Sequence, residues 1–326
     1  MRKFGLNGKS VIPLISGVAC AVPAIMSARN IGNWKERMIT IMVTPLMSCS
    51  ARLPVYTLLI SLVIPSGATY YVFNMQGLVL MALYLIGFLA ALFSAWVLKF
   101  ILRSKEKSYF IMEMPVYRMP RWGNVGYTMV EKVKVFLFDA GKVIIAISII
   151  LWVLSSYGPG NNFQEIEKKY QSTEFQSSLT PKEINAHISS EKLESSYAGL
   201  LGKKIEPAIR PLGFDWKIGI SLITSFAARE VFVGTMSTIY SVGDAENTKS
   251  IREKMQSEIN PNTGEKVFTP AVGFSLMLFY AFAMQCMSTI AVVYRETKHW
   301  KWPAIQFVYM GLLAYVASLV AFHLLR

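Results

Sequence analysis

Of 326 residues, 53% are hydrophobic and only 16% charged, too apolar a balance for an ordinary soluble domain. The formal charge of +13 would suit nucleic acid, but Lys and Arg lie mostly between apolar runs. That placement points to membrane lipid as the partner and away from nucleic acid, and the length of the runs sets the fold class: all-α, polytopic, transmembrane.

About seven membrane segments follow, each near the ~20 apolar residues a bilayer needs. The first, Val11–Ala28, contains Pro13, Cys20 and Pro23. The second, Met38–Ile64, is broken by Pro45 and Pro54 and carries Cys49 and Arg52. Gly77–Leu102, Val135–Tyr157, Ile218–Tyr240, Ala271–Tyr294 and Pro303–Leu325 complete the set. Gly77–Leu102 and Pro303–Leu325 are almost purely apolar and are expected to face lipid. The others carry Arg52, Asp139, Lys142, Arg229 and Glu230 and are expected to face inward, because a charge in hydrocarbon is costly. Lys142 and Asp139 lie near a span end, where snorkelling accounts for them.

The basic stretch Arg103–Lys134 reads as a cytoplasmic loop. Strict alternation then places Gly158–Lys217 outside, Ser241–Pro270 inside and Arg295–Trp302 outside. Two features fit that scheme poorly. Arg295, Lys298 and Lys301 sit on the outer turn, and the basic start Met1–Lys9 also falls outside. Re-entrant segments near Pro13 and Pro23 would repair the second misfit. In the polar loop after Gly158, Thr180-Pro-Lys-Glu183 has the pattern of a helix start.

Two stretches echo each other. Leu14–Met26 aligns with Leu222–Gly234, and Pro45–Cys49 answers Ala281–Cys286, so that Cys49 and Cys286 are equivalent and Cys20 meets Ala228 beside Arg229 and Glu230. Transporters built from such repeats hold their substrate near the repeat interface. The helix Asp139–Trp152 leads the second copy and has no counterpart before the first, which raises the expectation of a missing piece upstream of Met1.

Gly5–Arg29, Glu36–Tyr56 with its PLMSC and ARLPVY strings, Ala140–Trp152, Phe226–Tyr240 and Ala283–Thr297 together resemble the membrane domain of the bacterial ferrous iron transport protein B (FeoB) family. The resemblance covers nearly the whole chain. It implies an Fe²⁺ permease of the bacterial inner membrane, with Cys20, Cys49 and Cys286 along the iron path. Family members often flank these cysteines with glycines; here Ala19, Ala21 and Ser50 stand there. The family's nucleotide-hydrolysing G domain has no match in this sequence. The chain is therefore expected to be a transporter part rather than an enzyme, to associate with a G-domain portion and a small cytosolic FeoA-like protein, and to form a homo-oligomer. The expected domains are a partial first gate repeat (1–64), a lipid-facing helix with a basic loop (65–134), a second gate repeat with a polar loop at 158–217 (135–297), and a terminal transmembrane helix (298–326).

Gly5-Leu-Asn-Gly-Lys-Ser10 imitates a P-loop but has two residues between its glycines where a phosphate-wrapping loop needs four, so no nucleotide site is expected there. A cysteine in an apolar helix is ordinarily small packing material. Two cysteines at repeat-equivalent positions beside helix breaks favour ligation, since thiolate suits Fe²⁺ and binding would release protons. Met47, Met284 and Met287 lie nearby as core thioethers. Glu230 is a candidate oxygen ligand. Arg52 and Arg229, with Pro23, Pro45 and Pro54, are expected to fix the gate. The competing readings are a carrier of nucleosides or other small solutes, and a membrane scaffold that transports nothing. All three histidines, His187, His299 and His323, lack metal-ligand spacing.

Overall fold

The computed structural model describes residues 6, 8–65, 69–70, 73–102, 121–159, 188, 191–192, 194–226, 229, 231–240, 252–253, 255–256, 266–284 and 286–326. Its helices are α1 (Val11–Ala19), α2 (Ala21–Ser27), α3 (Trp34–Val43), α4 (Leu53–Val63), α5 (Met75–Ile101), α6 (Trp122–Ser156), α7 (Tyr197–Ile209), α8 (Trp216–Thr224), α9 (Val231–Ile239), α10 (Pro270–Phe282), α11 (Met287–Thr297) and α12 (Lys301–Leu325). A two-residue antiparallel ribbon, Thr69–Tyr70 with Phe73–Asn74, precedes α5.

The prolines mark where helices begin. Pro13, Pro23, Pro54, Pro270 and Pro303 all stand in the first turn of α1, α2, α4, α10 and α12, where a backbone N–H has no intrahelical partner to lose. Side-chain caps open three others, where Asn33 accepts from Lys35 and Glu36, Ser196 from Gly199 and Asp215 from Ile218, and α10 has one as well, Thr269 accepting from Val272.

Among the described residues four stretches are long and apolar enough to cross a bilayer: Trp34–Val63, Met75–Ile101, Pro270–Thr297 and Lys301–Leu325. Only 28% of the apolar stretch of α5 and 22% of that of α12 is buried, against 56% and 65% for the two interrupted spans. That is the division expected between lipid-facing and inward helices. α6 runs for 35 residues, beginning at Trp122 well inside the stretch read as a loop up to Lys134. Its described side chains, Lys142 among them, are exposed or half-buried rather than inward-packed.

Two expected spans are hairpins instead. α1 packs back against α2, and α8 against α9. The Nζ of Lys217, at the start of α8, lies 5.0 Å from the ring centre of Tyr240, just past α9. A continuous helix between these residues would separate them by about 35 Å at 1.5 Å per residue. The physical reason is the break in each segment. At Cys20 the backbone opens to an extended conformation (φ −156°, ψ 136°), and the chain turns back.

The chain folds as two compact units. The first comprises Met1–Ser50, Tyr84–Ile145 and Met287–Met310. There α2 packs on α11 around Val22, Ile25, Ala28, Ile31, Ile41, Val292 and Val293, and Arg29 grips Glu296 through Nε–Oε2 at 2.8 Å and an Nη2–Oε1 contact. These bonds to the carboxylate raise the Arg29 guanidinium further above its ordinary value. Trp34 and Trp302 meet edge to face at the same end.

The second unit comprises Ala51–Leu83, Ala146–Cys286 and Gly311–Arg326. There α9 and α10 pack on α4, repeating with exchanged halves the pairing of α2 with α11. Ser275 and Ser318 each donate to the other's carbonyl, at 3.1 and 2.9 Å, joining α10 to α12. α7 lies close on α8, where a Cβ on Gly202 would come 3.1 Å from the Trp216 carbonyl. Gly213, at φ 81°, sits against the Phe322 ring.

Glu206, Arg210, Asp215, Lys266, Thr269 and Arg326 line one cavity of the second unit, of about 700 Å³. Gln256 bonds the Leu62 carbonyl at 2.8 Å, so that residue joins the far end of α4. Gly158–Lys217 and Ser241–Pro270 were expected on opposite faces; their described parts share one. The re-entrant hairpins account for the difference, because each returns the chain to the side from which it came.

Candidate functional site

Each gate repeat is a short-helix hairpin followed by an interrupted span, and each cysteine stands at an interruption. Cys20 is the single residue between α1 and α2, and its N–H donates to the Ser16 carbonyl at 3.2 Å. Cys49 precedes the 3-10 turn Ser50–Arg52 that runs into α4. Cys286 immediately precedes Met287, the first residue of α11. None of the three is in a disulfide, and all are half-buried. A helix start turns its unsatisfied, positively polarised N–H groups toward the residue before it, a setting suited to an anionic sulfur ligand.

In the first unit two of these breaks meet. The Ser50 hydroxyl donates to the Ala19 carbonyl at 2.9 Å, linking the residue after Cys49 to the residue before Cys20. Close approach needs the small residue at 17: a Cβ there would stand 3.3 Å from Thr44 Cγ2 and 3.5 Å from Met47 Cβ. Cys20 also leans on the apolar cluster of α2, α3 and α11. Cys286 belongs to the second unit.

Arg229 is 5% exposed and spans two backbone carbonyls, Nη1 to Tyr280 at 3.3 Å and Nη2 to Ala283 at 3.1 Å. These oxygens close the end of α10, where the last carbonyls lack intrahelical donors and the helix dipole favours a cation. The guanidinium therefore holds the peptide just before Cys286. Arg52 is fully buried at the start of α4, with Pro54 in the next turn. Pro45 opens the 3-10 turn Thr44–Leu46 ahead of Cys49, and Pro23 stands in the first turn after Cys20. Glu230 lies outside the described residues. Among the described residues no group of three or more His, Cys, Asp or Glu side chains gathers into a metal cage.

Gln306 and Tyr309 escaped the sequence reading. Their signal was available, since a glutamine in an otherwise apolar span must find internal partners. Both reach the carbonyl of Met42 in α3, ahead of the Cys49 break.

Long apolar helices, a short-helix hairpin in each unit and interrupted spans with cysteines at the gaps are the features of a polytopic membrane protein with two internal repeats. The gate family model, described as nucleoside recognition, matches residues 1–63 and 137–300, and the ferrous iron transport protein B C-terminus model matches 80–132 between them. The chain belongs to the gate family, in the form that carries this FeoB segment. It is similar to the Fe(2+) transporter FeoB of Leptospira interrogans serovar copenhageni, 45% identical over 99% of this chain and 44% of that protein. A fusion protein of Fe(2+) transport protein A and Fe(2+) transporter FeoB from Porphyromonas gingivalis is 38% identical over 99% of this chain and 38% of that one. The Fe(2+) transporter FeoB of Helicobacter pylori strain J99 is 34% identical over 99% and 49%. The chain thus spans less than half the length of these relatives. No solved structure matches it.

Proposed function

We propose that this chain is the permease portion of an Fe²⁺ uptake system in a bacterial inner membrane. The observation that carries the proposal is the position of the thiols: Cys20 and Cys286 each occupy the residue before a half-helix, and Cys49 the residue before the 3-10 turn that runs into α4. Soft sulfur at such gaps can replace part of the hydration of Fe²⁺, and few ligands per station keep binding weak enough for release. Glu230 would add an oxygen. Arg229, Arg52 and the prolines would set the gate geometry. The relatives' names supply the ion.

The chain acts in this reading as a transporter without a nucleotide site of its own, working with a G-domain portion and with an FeoA-like protein, as the fused relative suggests. Lys9, Arg29, Lys35, Arg37, Arg295, Lys298 and Lys301 then share the cytoplasmic face with the basic Arg103–Lys134 stretch. This placement removes both misfits of strict alternation.

The test is Fe²⁺ uptake into anaerobic proteoliposomes by the complete transporter with Cys20→Ser, Cys49→Ser or Cys286→Ser. Replacing a thiolate ligand should reduce uptake about tenfold or more, as expected for loss of a metal-ligand contact. Unchanged uptake in all three would remove the thiolate path. The family description favours one competitor, a nucleoside carrier; nucleoside uptake by the same liposomes, insensitive to Fe²⁺, would establish it instead.

A further inference from the structure

The first break is held by the last helix. In an α-helix the Ile41 carbonyl would accept from the N–H of residue 45, but residue 45 is proline and has none. The amide nitrogen of Gln306 fills the gap, donating to Ile41 O at 3.2 Å and to Met42 O at 2.9 Å. The Tyr309 hydroxyl donates to Met42 O as well. All of these groups lie in the first unit.

Gln306 is completely buried, although most of α12 lies on the outside of the fold. It belongs to a stripe with Met310, Ala314 and Ser318 along one face of α12, the positions at which that helix touches protein. Its Oε1 is buried with no hydrogen-bond partner. An unsatisfied amide oxygen is expensive in a membrane interior. A leucine at this position would avoid that penalty, so packing alone does not account for glutamine. What the amide gains is the donor pair aimed at the two carbonyls.

We propose that Gln306 and Tyr309 are positioning residues for the first gate: they fix the backbone seven and eight residues ahead of Cys49 and so set where that sulfur points. The counterpart at the second gate is Arg229 on Tyr280 and Ala283. The donors differ in origin: Arg229 reaches its carbonyls from within the second repeat, whereas Gln306 and Tyr309 reach theirs from α12, so that movement of α12 acts on the first gate. The role of the clamp in transport rests on the Fe²⁺ reading above; the clamp itself does not.

The experiment measures the alkylation rates of Cys49 and Cys286 by a membrane-permeant maleimide in the full-length transporter, followed residue by residue by mass spectrometry. Gln306→Met preserves volume and removes the donors; Tyr309→Phe removes one hydroxyl. Cys49 should react about three- to tenfold faster in each variant, the factor expected for losing one net hydrogen bond to the closed state. Cys286 should be unchanged, and Gln306→Asn or Gln306→His, which keep a donor, should return part of the slow rate. Unaltered Cys49 reactivity in the double variant, or equal acceleration of Cys49 and Cys286, would overturn the proposal. Fe²⁺ uptake by the same variants is the second readout. Faster Cys49 labelling together with full uptake by Cys49→Ser would keep the clamp and discard the thiolate path.

Discussion

At the scale of single residues the chemistry lies in what a helix break leaves unsatisfied. Arg229 shows it most directly, because it donates to two carbonyls at the end of α10. Arg229→Met would remove a charged donor from both oxygens, and we expect a loss of about 2 to 4 kcal/mol for two such buried bonds. Arg229→Lys should recover part of it, since one ammonium can serve only a single geometry where the guanidinium fork serves two. Thermal inactivation in detergent would check the order: wild type, then lysine, then methionine. Sequence marked Arg229 as an intramembrane charge that must face protein, but nothing in it pointed to backbone carbonyls rather than to a carboxylate. Gln306 was passed over for a related reason: a single neutral residue scarcely disturbs the hydropathy of a 25-residue helix.

Among the elements, the legible features were those written as local pattern. Long apolar runs announced α5 and α12, and prolines announced the breaks. Direction after a break was not legible, since a segment of hairpin length has the same apolar content as a span. The distance between Lys217 and Tyr240 settles the direction for α8 and α9. The joint between α7 and α8 is a second place where geometry outruns pattern. Gly213 has φ 81° and faces Phe322 of α12 at a separation that leaves no room for a Cβ. Gly213→Ala should cost about 2 to 4 kcal/mol, combining left-handed backbone strain with overpacking. Gly213→Ala paired with Phe322→Leu should regain the packing part only, and the melting temperatures of the two variants would separate the contributions.

For the whole molecule, the hairpins decide sidedness. With each hairpin returning the chain, the described parts of Gly158–Lys217 and Ser241–Pro270 emerge on one face of the second unit, and Arg29, Glu296 and Trp302 gather at one end of the first. Single cysteines placed by Lys203→Cys and Lys266→Cys, in a background with Cys20, Cys49 and Cys286 changed to serine, should react with an impermeant maleimide added from the same side. Lys298→Cys should react only from the other. Opposite labelling of positions 203 and 266 would restore the alternating topology. The misplaced basic residues of the sequence already pointed to re-entrant segments near Pro13 and Pro23; nothing in the local pattern extended that to Ile218–Tyr240.

The exchange of half-helices between repeats also bears on how the chain is made. α2 finds its packing surface on α11, and the Arg29–Glu296 bond closes a separation of 267 residues. At about 5 to 20 residues per second, a ribosome needs on the order of half a minute to supply that partner. During this interval the first hairpin waits with an uncovered apolar face, sheltered by lipid or by an insertion factor. The first gate, although translated before the second, is thus completed only after it.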